Sequence, residues 1–234
     1  MIDVQKLRSD FPILAREVNG KQLVYLDNGA SSQKPQIVID AISNAYSNEY
    51  SNVHRGLHYL SNLATDNYEN VRSIVQKFLC AEFEEEIVFT SGTTEGINLA
   101  AYAWGMEHLK SGDEIILSVM EHHANIVPWH FLRERYGIKI KWVDCDINGN
   151  IDPQAIIDQF SDRTKLLAIT HMSNVLGTIV DVKTLCNEAS KRGIVSLIDG
   201  SQAAVHMPVN VKDIGCLLYT SPSPRDATLS RMPS

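Results

Sequence analysis

Residues 194–202 read IVSLIDGSQ, and this stretch decides the fold. Its first five residues are too apolar for a strand with one face in water, so they predict a strand of a sheet that is covered on both faces. Open sheets of this kind carry their working groups at the carboxyl ends of their strands. Asp199, the residue that follows the apolar run, is therefore a candidate functional carboxylate.

Apolar runs that read as strands recur upstream, at residues 86–90, 114–118, 139–143 and 165–170. Helix signals lie between them. Asp152 and Pro153 supply an N-cap and a first-turn proline, and a stretch that opens at Asp181 stops at Gly193. This alternation predicts right-handed crossovers and an α/β domain, with a mostly parallel sheet between helices on both faces.

The sequence predicts three segments. Residues 1–65 form an N-terminal arm with a helix over 3–10, a turn over 18–21, a strand over 23–26 and a loop-rich part around His54. A helix over 65–79 leads into the main domain, residues 66–216. From Leu217 the pattern breaks, and two prolines within three residues do not fit a central strand. Residues 217–234 are therefore predicted to be disordered or foreign to the fold.

Composition narrows the class of protein. The chain has 234 residues, 44% of them apolar and 21% charged, and a net charge of -7, which argues against nucleic acid or an anionic membrane as the main partner. No run is long enough to span a membrane, and the first residues lack the apolar core of a signal peptide, so a cytoplasmic location is expected. The cysteines are widely spaced and are expected to be buried small hydrophobic residues rather than disulfides or zinc ligands: Cys80, Cys145, Cys186 and Cys216.

A phosphate-binding loop is the first candidate site. Gly92, Thr93 and Thr94 join a predicted strand to a helix. Glycine lets the backbone approach an anion, and the hydroxyls join the amides of the helix N-terminus. The alternative is a helix with a threonine cap.

Paired histidines follow the predicted strand at 114–118. His122 and His123 suggest a metal at first sight, but no third ligand with suitable spacing lies nearby, so no metal is predicted. An imidazole that stacks on a flat cofactor ring or transfers a proton fits better. A structural histidine is the alternative.

Two further polar groups follow predicted strands. Asn174 offers an amide to a phenolic or carboxylate oxygen, or else it caps a turn. Asp199 offers its carboxylate to a protonated ring nitrogen, or else it closes an Asx-turn. Because all the polar clusters lie at carboxyl ends of predicted parallel strands, the sequence predicts a common ligand site.

The order of phosphate loop, histidine, asparagine and Asp-x-x-Gln resembles the fold type I enzymes that use pyridoxal 5'-phosphate (PLP), and among them the class V aminotransferase-like group. Residues 25–35, 52–58, 92–98, 121–125 and 173–178 make the match specific. Over residues 1–216 the chain resembles a group II cysteine desulfurase of the sulfur-mobilisation (Suf) system. The fold that this implies is the PLP-binding large domain, incomplete, with the C-terminal small domain absent.

The resemblance implies cofactor contacts at matching positions. Thr94, with the amide of Thr93, would hold the phosphate. His123 would stack on the pyridine ring. Asp199 would pair with the ring nitrogen, and Gln202 would bond the phenolic oxygen.

It also implies a substrate and partners. Asn174 would lie near the phenolic oxygen and the substrate carboxylate, while Ala30 and His54 would line the substrate entrance. The family converts L-cysteine to L-alanine and keeps the sulfur as a persulfide on an enzyme cysteine. It forms homodimers and passes sulfur to an acceptor protein of the Suf system for iron-sulfur cluster assembly.

Departures from the family pattern predict that this chain is inactive. No lysine follows Lys212, and Arg225 stands where the Schiff-base lysine belongs when residues are counted without gaps. A guanidinium stays protonated and cannot take that role. Ser91 replaces a basic residue of many relatives, and no cysteine matches the persulfide-forming one. The residues after Cys216 resemble translated adaptor or vector sequence.

Two alternatives stay open from the sequence. The first is another class V activity, such as a selenocysteine lyase, a kynureninase or an aminotransferase. The second is a non-catalytic role, in which the chain pairs with a full-length subunit.

Overall fold

The computed structural model describes residues 3–222, and the chain divides into two units, Met1–Ile74 and Val75–Ser234. The first unit contains α1 (Val4–Ser9), β1 (Glu17–Val18), β2 (Lys21–Gln22), α2 (Gln36–Asn44) and most of α3 (Tyr59–Leu79). The boundary between the units therefore lies inside α3, after the position expected from the sequence.

Local sequence explains the first unit's short elements. Asp3 caps α1, because its side chain accepts hydrogen bonds from the amides of Gln5 and Lys6. Positive φ values at Asn19 and Gly20, 54° and 72°, form the tight turn between β1 and β2. The prediction of a strand over 23–26 is wrong. The turn pairs Val18 with Lys21, and the two-stranded ladder ends at the next pair, Glu17 and Gln22.

The second unit is built on a parallel sheet of five strands in the order β4-β3-β5-β6-β7. The strands are β3 (Glu114–Ser118), β4 (Lys139–Val143), β5 (Thr164–Thr170), β6 (Val195–Asp199) and β7 (Leu218–Thr220). The helices of this unit are α4 (Thr93–Ala100), α5 (Met106–His108), α6 (Val127–Tyr136), α7 (Pro153–Ile157), α8 (Val182–Lys191), α9 (Ala203–His206) and α10 (Val211–Ile214). The predicted α/β class is confirmed.

Each face of the sheet has its own core, which explains the continuously apolar strands. Ile116, Leu167 and Ile198 lie in one buried cluster with residues of α8. Their neighbours along the strands, Leu117 and Leu197, lie in the other cluster with Trp129 of α6. Successive side chains of a strand point to opposite faces, so a sheet covered on both faces needs apolar residues at consecutive positions.

Two boundary predictions need correction. Residues 87–90, predicted as part of a strand, are outside the strands of the described chain, and residues 84–86 form a 3-10 turn. Residues 218–220, predicted as disordered or foreign to the fold, form β7, which pairs in parallel with β6. The two prolines on which that prediction was based, Pro222 and Pro224, come after β7 in the sequence. They therefore do not prevent its three residues from pairing with β6. The prediction for residues 223–234 lies outside the described residues.

Tyr219 of β7 packs on the turn that follows β6. A Cβ atom built on Gly200 would overlap atoms of the Tyr219 ring, so only glycine fits beneath it. The Tyr219 hydroxyl lies 2.9 Å from Nδ1 of His171, which follows β5. Three neighbouring strand ends are therefore tied together at the carboxyl edge of the sheet.

Within residues 3–222, no helix combines the length and the hydropathy that a membrane crossing requires.

Candidate functional site

The carboxyl ends of the central strands lie side by side and carry polar residues. The register pairs Thr170 of β5 with Asp199 of β6, and Asp199 with Thr220 of β7. This is the edge at which open α/β sheets bind ligands.

Asp199 is a buried carboxylate whose two oxygens differ in their surroundings. Its side chain belongs to a residue that is 3% exposed. Oδ1 accepts from the amide of Ser201 at 3.0 Å, and it lies 2.5 Å from Ser201 Oγ and 3.3 Å from Thr220 Oγ1. Oδ2 accepts no hydrogen bond from any of residues 3–222. The Asx-turn alternative therefore accounts for Oδ1 alone, and Oδ2 needs a donor that comes from elsewhere.

The N-terminus of α4 presents backbone donors to a ligand. Gly92 is the N-cap of the helix and has a φ of 159°. The first hydrogen bond of the helix is donated by the Gly96 amide to the carbonyl of Gly92, at 2.9 Å. The amides of Thr93, Thr94 and Glu95 have no acceptor in the described part of the chain. Such amides, together with the helix dipole, bind anions.

Ser201 connects this helix start to Asp199. Its Oγ lies 2.9 Å from Thr93 Oγ1 and 2.5 Å from Asp199 Oδ1. Two of the predicted contacts, the phosphate loop and the carboxylate, therefore belong to one site. Ser201 is not among the site residues predicted from the sequence, although its place in the Asp-x-x-Gln turn could have indicated a role.

The two histidines differ in their surroundings. Nδ1 of His122 accepts a hydrogen bond from the amide of Ala124 at 3.2 Å, so His122 caps the 3-10 turn His123–Asn125. His123 is exposed, and its ring makes an edge contact with His122 but no hydrogen bond within residues 3–222. His122 is thus structural and His123 is available to a ligand. In the described chain no group of three or more His, Cys, Asp or Glu residues is arranged to hold a metal.

Asn174 is also available. The turn that contains it is capped by Ser173, whose Oγ accepts from the amides of Val175 and Leu176 at 3.3 and 3.2 Å. The alternative that Asn174 caps the turn is therefore wrong. The Asn174 side chain is exposed and forms no hydrogen bond with any described residue.

The other predicted site residues have different positions. Gln202 is half-buried and directly precedes α9. Ala30 and His54 belong to the first unit. Ala30 lies in an exposed turn, and Nε2 of His54 lies 2.9 Å from Oε1 of Glu69.

A second buried carboxyl group, which the sequence did not predict, lies beside the site. Glu121 is 7% exposed, and burial raises its pKa to about 7, with a further contribution from the charge of Asp199. His171 was also missed, and burial lowers its pKa, which favours a neutral ring beside Tyr219. Both residues stand in motifs that were recognised, but only the fold brings them into the interior.

Comparison with known proteins gives a consistent result. Residues 24–223 match the model of the aminotransferase class-V family. A cysteine desulfurase from Salmonella newport (strain SL254) is 50% identical over 216 residues, which are 92% of this chain and 53% of that protein. The chain thus spans about half the length of the curated relatives it matches.

Solved structures agree in fold. The crystal structure of the cysteine desulfurase CsdA (S-sulfonic acid) from Escherichia coli superposes with a TM-score of 0.81 and 34% identity, and the match covers 94% of this chain and 54% of that one. A lysine-to-alanine mutant of C-DES, with glycine covalently linked to its PLP cofactor, gives a TM-score of 0.77 at 18% identity over 92% of this chain and 54% of that one.

Proposed function

The chain belongs to the aminotransferase class-V family, and we propose that it forms the cofactor-holding half of a cysteine desulfurase site, with PLP as the cofactor. The observation that carries this proposal is the buried Oδ2 of Asp199, which lacks a donor among the described residues. The protonated nitrogen of a pyridine ring supplies such a donor.

The residues of the second unit fit the cofactor's other groups. The amides of Thr93 and Thr94 and the Thr94 hydroxyl would hold the phosphate at the start of α4. Gln202 would bond the phenolic oxygen, with Asn174 nearby. His123 would stack on the ring. When bound, PLP supplies an electron sink for the bonds at the substrate's α-carbon.

Asp199 has two tasks in this proposal. Its carboxylate would keep the proton on the ring nitrogen, and its Oδ1 is held in place by Ser201. A charge-assisted hydrogen bond of this kind contributes about 1.5–3 kcal/mol. Because the carboxylate is buried and already oriented, binding requires little rearrangement at this point.

The substrate and the biological setting are further parts of the proposal. Similarity to curated cysteine desulfurases supports L-cysteine as the substrate, L-alanine as a product and transfer of sulfur to an enzyme cysteine as a persulfide. Ala30 and His54 would line the substrate entrance. We further propose a homodimer, a cytoplasmic location and a Suf acceptor protein that uses the sulfur for iron-sulfur clusters.

The chain itself is proposed to be inactive. Residues 213–234 contain no lysine, and Arg225 stands where the resemblance places the lysine that anchors the cofactor. Burial raises the pKa of the Cys186 and Cys216 thiols to about 11 and about 12, which disfavours the nucleophilic thiolates. With PLP and L-cysteine added, alanine should form no faster than with free PLP.

Asp199→Asn tests the cofactor proposal. The variant keeps the shape of the side chain and removes its charge, so the dissociation constant of PLP should rise about tenfold or more. Fluorescence titration of the full chain with PLP measures this. Thr220→Val is the matched control, because it removes the longest contact to Asp199 Oδ1 and leaves Oδ2 unchanged. Equal affinity in wild type and Asp199→Asn would contradict the proposal.

A further inference from the structure

Glu121 joins three parts of the sheet edge. Its Oε1 accepts from Ser118 Oγ, at the end of β3, at 2.6 Å and from the amide of Thr170, at the end of β5, at 3.0 Å. Its Oε2 accepts from Nδ2 of Asn125 at 2.7 Å. Because Glu121 and Asn125 flank His123 in the sequence, their hydrogen bond closes a short loop around it.

Trp129 fixes the donor and acceptor directions in the chain of hydrogen bonds that runs through Asn125 to Glu121. Nε1 of Trp129, which is fully buried, donates to Oδ1 of Asn125 at 3.1 Å. An indole N–H can only donate, so the Asn125 amide must turn its oxygen to Trp129 and its NH2 group to Glu121. Ser118 Oγ accepts from the amide of Met120 at 3.2 Å, so its hydrogen is directed to Glu121. Every contact of Glu121 is therefore with a donor.

We propose that Glu121 is a positioning residue, whose carboxylate holds the segment that carries His123 against the end of β5 and so sets the place of the His123 ring over the cofactor. The strand end that it grips is paired in register with Asp199. The two groups proposed to contact the ring, one on its face and one at its nitrogen, are thus fixed to a common support. This inference rests on the proposed function.

An exchange of the two interacting side chains separates positioning from simple burial. In Glu121→Gln the new NH2 group would meet the NH2 group of Asn125, which Trp129 prevents from turning. In Asn125→Asp two carboxylates would face each other. In the double variant the carboxylate at position 125 accepts from Trp129 and from the new amide at position 121, so the polarity is restored with the same number of atoms.

The experiment uses the full chain at about pH 8, where Glu121 is ionised because its pKa is about 7, and it has two readouts. The first is the dissociation constant of PLP and the circular dichroism of its bound absorption band. The second needs no cofactor: the imidazole NMR signals of His123 and the exchange rate of the Thr170 amide. Leu185→Ala is the control, because it destabilises the same unit from α8, within the core, and its apolar side chain takes no part in the hydrogen bonds of Glu121.

We expect each single substitution to weaken PLP binding about tenfold, to shift the His123 signals and to speed Thr170 exchange, and the double variant to restore all of these to within about threefold. Leu185→Ala should lower the unfolding temperature and leave PLP affinity in the folded chain unchanged. If the double variant is no better than the single ones, or if Leu185→Ala reproduces their effects, the positioning role is overturned.

Failure of the proposed function gives a different result. If the wild-type chain binds no PLP, that proposal fails, while the His123 signals and Thr170 exchange still decide whether Glu121 holds the segment. If PLP binds but Glu121→Gln has wild-type affinity and wild-type His123 signals, the further inference alone fails.

Discussion

At the scale of single residues, the carboxyl edge of the sheet contains two buried acids in different environments. Glu121 is surrounded by hydrogen-bond donors, yet burial raises its pKa to about 7. Asp199 keeps one oxygen free of described partners and has hydroxyl groups on the other. Glu121, both of whose oxygens accept hydrogen bonds, is therefore suited to hold neighbouring segments in place. Asp199, whose Oδ2 has no described partner, is suited to bind a ligand.

The raised pKa of Glu121 predicts a pH-dependent stability. The folded chain keeps the proton up to about pH 7, whereas the unfolded chain releases it near its usual pKa of 4.5. The free energy of unfolding should therefore fall as the pH rises through this window, by on the order of 3 kcal/mol from this group. Glu121→Gln lacks this contribution.

Urea unfolding of wild type and Glu121→Gln at about pH 5 and about pH 8 measures the effect, since the other titrating groups cancel in the difference. The free energy of wild type minus that of the variant should be smaller at the higher pH. A difference that does not change with pH would contradict the raised pKa.

Individual residues show what the sequence could reveal. The buried position of Asp199 was predictable, because the apolar run that precedes it indicates a strand covered on both faces. The distinction between His122 and His123 was not predictable, since it depends on which of the two histidine rings caps the following turn. Glu121 was also beyond reach, because an acid in a loop is exposed by default and only the neighbouring strand end buries it.

At the scale of elements, the sheet was predictable wherever both faces are covered. The runs at 114–118 and 165–170 match β3 and, within one residue, β5, since consecutive apolar residues are stable where both faces are buried. The segment at 86–90 has a similar composition but does not form a strand within the described chain.

β7 provides the clearest test at this scale. Gly200→Ala would place a methyl group within the Tyr219 ring, so the ring must move and lose its contact with His171. The expected cost is about 1–3 kcal/mol of unfolding free energy. In a Tyr219→Ala background the same substitution should cost much less, because the space is already open.

A double-mutant cycle by denaturant unfolding measures this coupling. Strict additivity of Gly200→Ala and Tyr219→Ala would show that the ring does not pack on the turn.

At the scale of the whole molecule, this chain is proposed to bind the cofactor without turning over a substrate. The residues proposed to hold the phosphate and the ring nitrogen are connected within the second unit through Ser201, and residues 213–234 contain no lysine. Binding and chemistry are therefore separated. The chain should hold PLP reversibly, through α4 and Asp199, without turning over L-cysteine.

Isothermal titration of the full chain with PLP tests this central claim most directly. We predict a single saturable site, from which PLP is recovered by dialysis and to which borohydride fixes no stoichiometric label, because no lysine anchors the cofactor. The absence of saturable binding would contradict the account. So would PLP that resists dialysis and is fixed to one lysine.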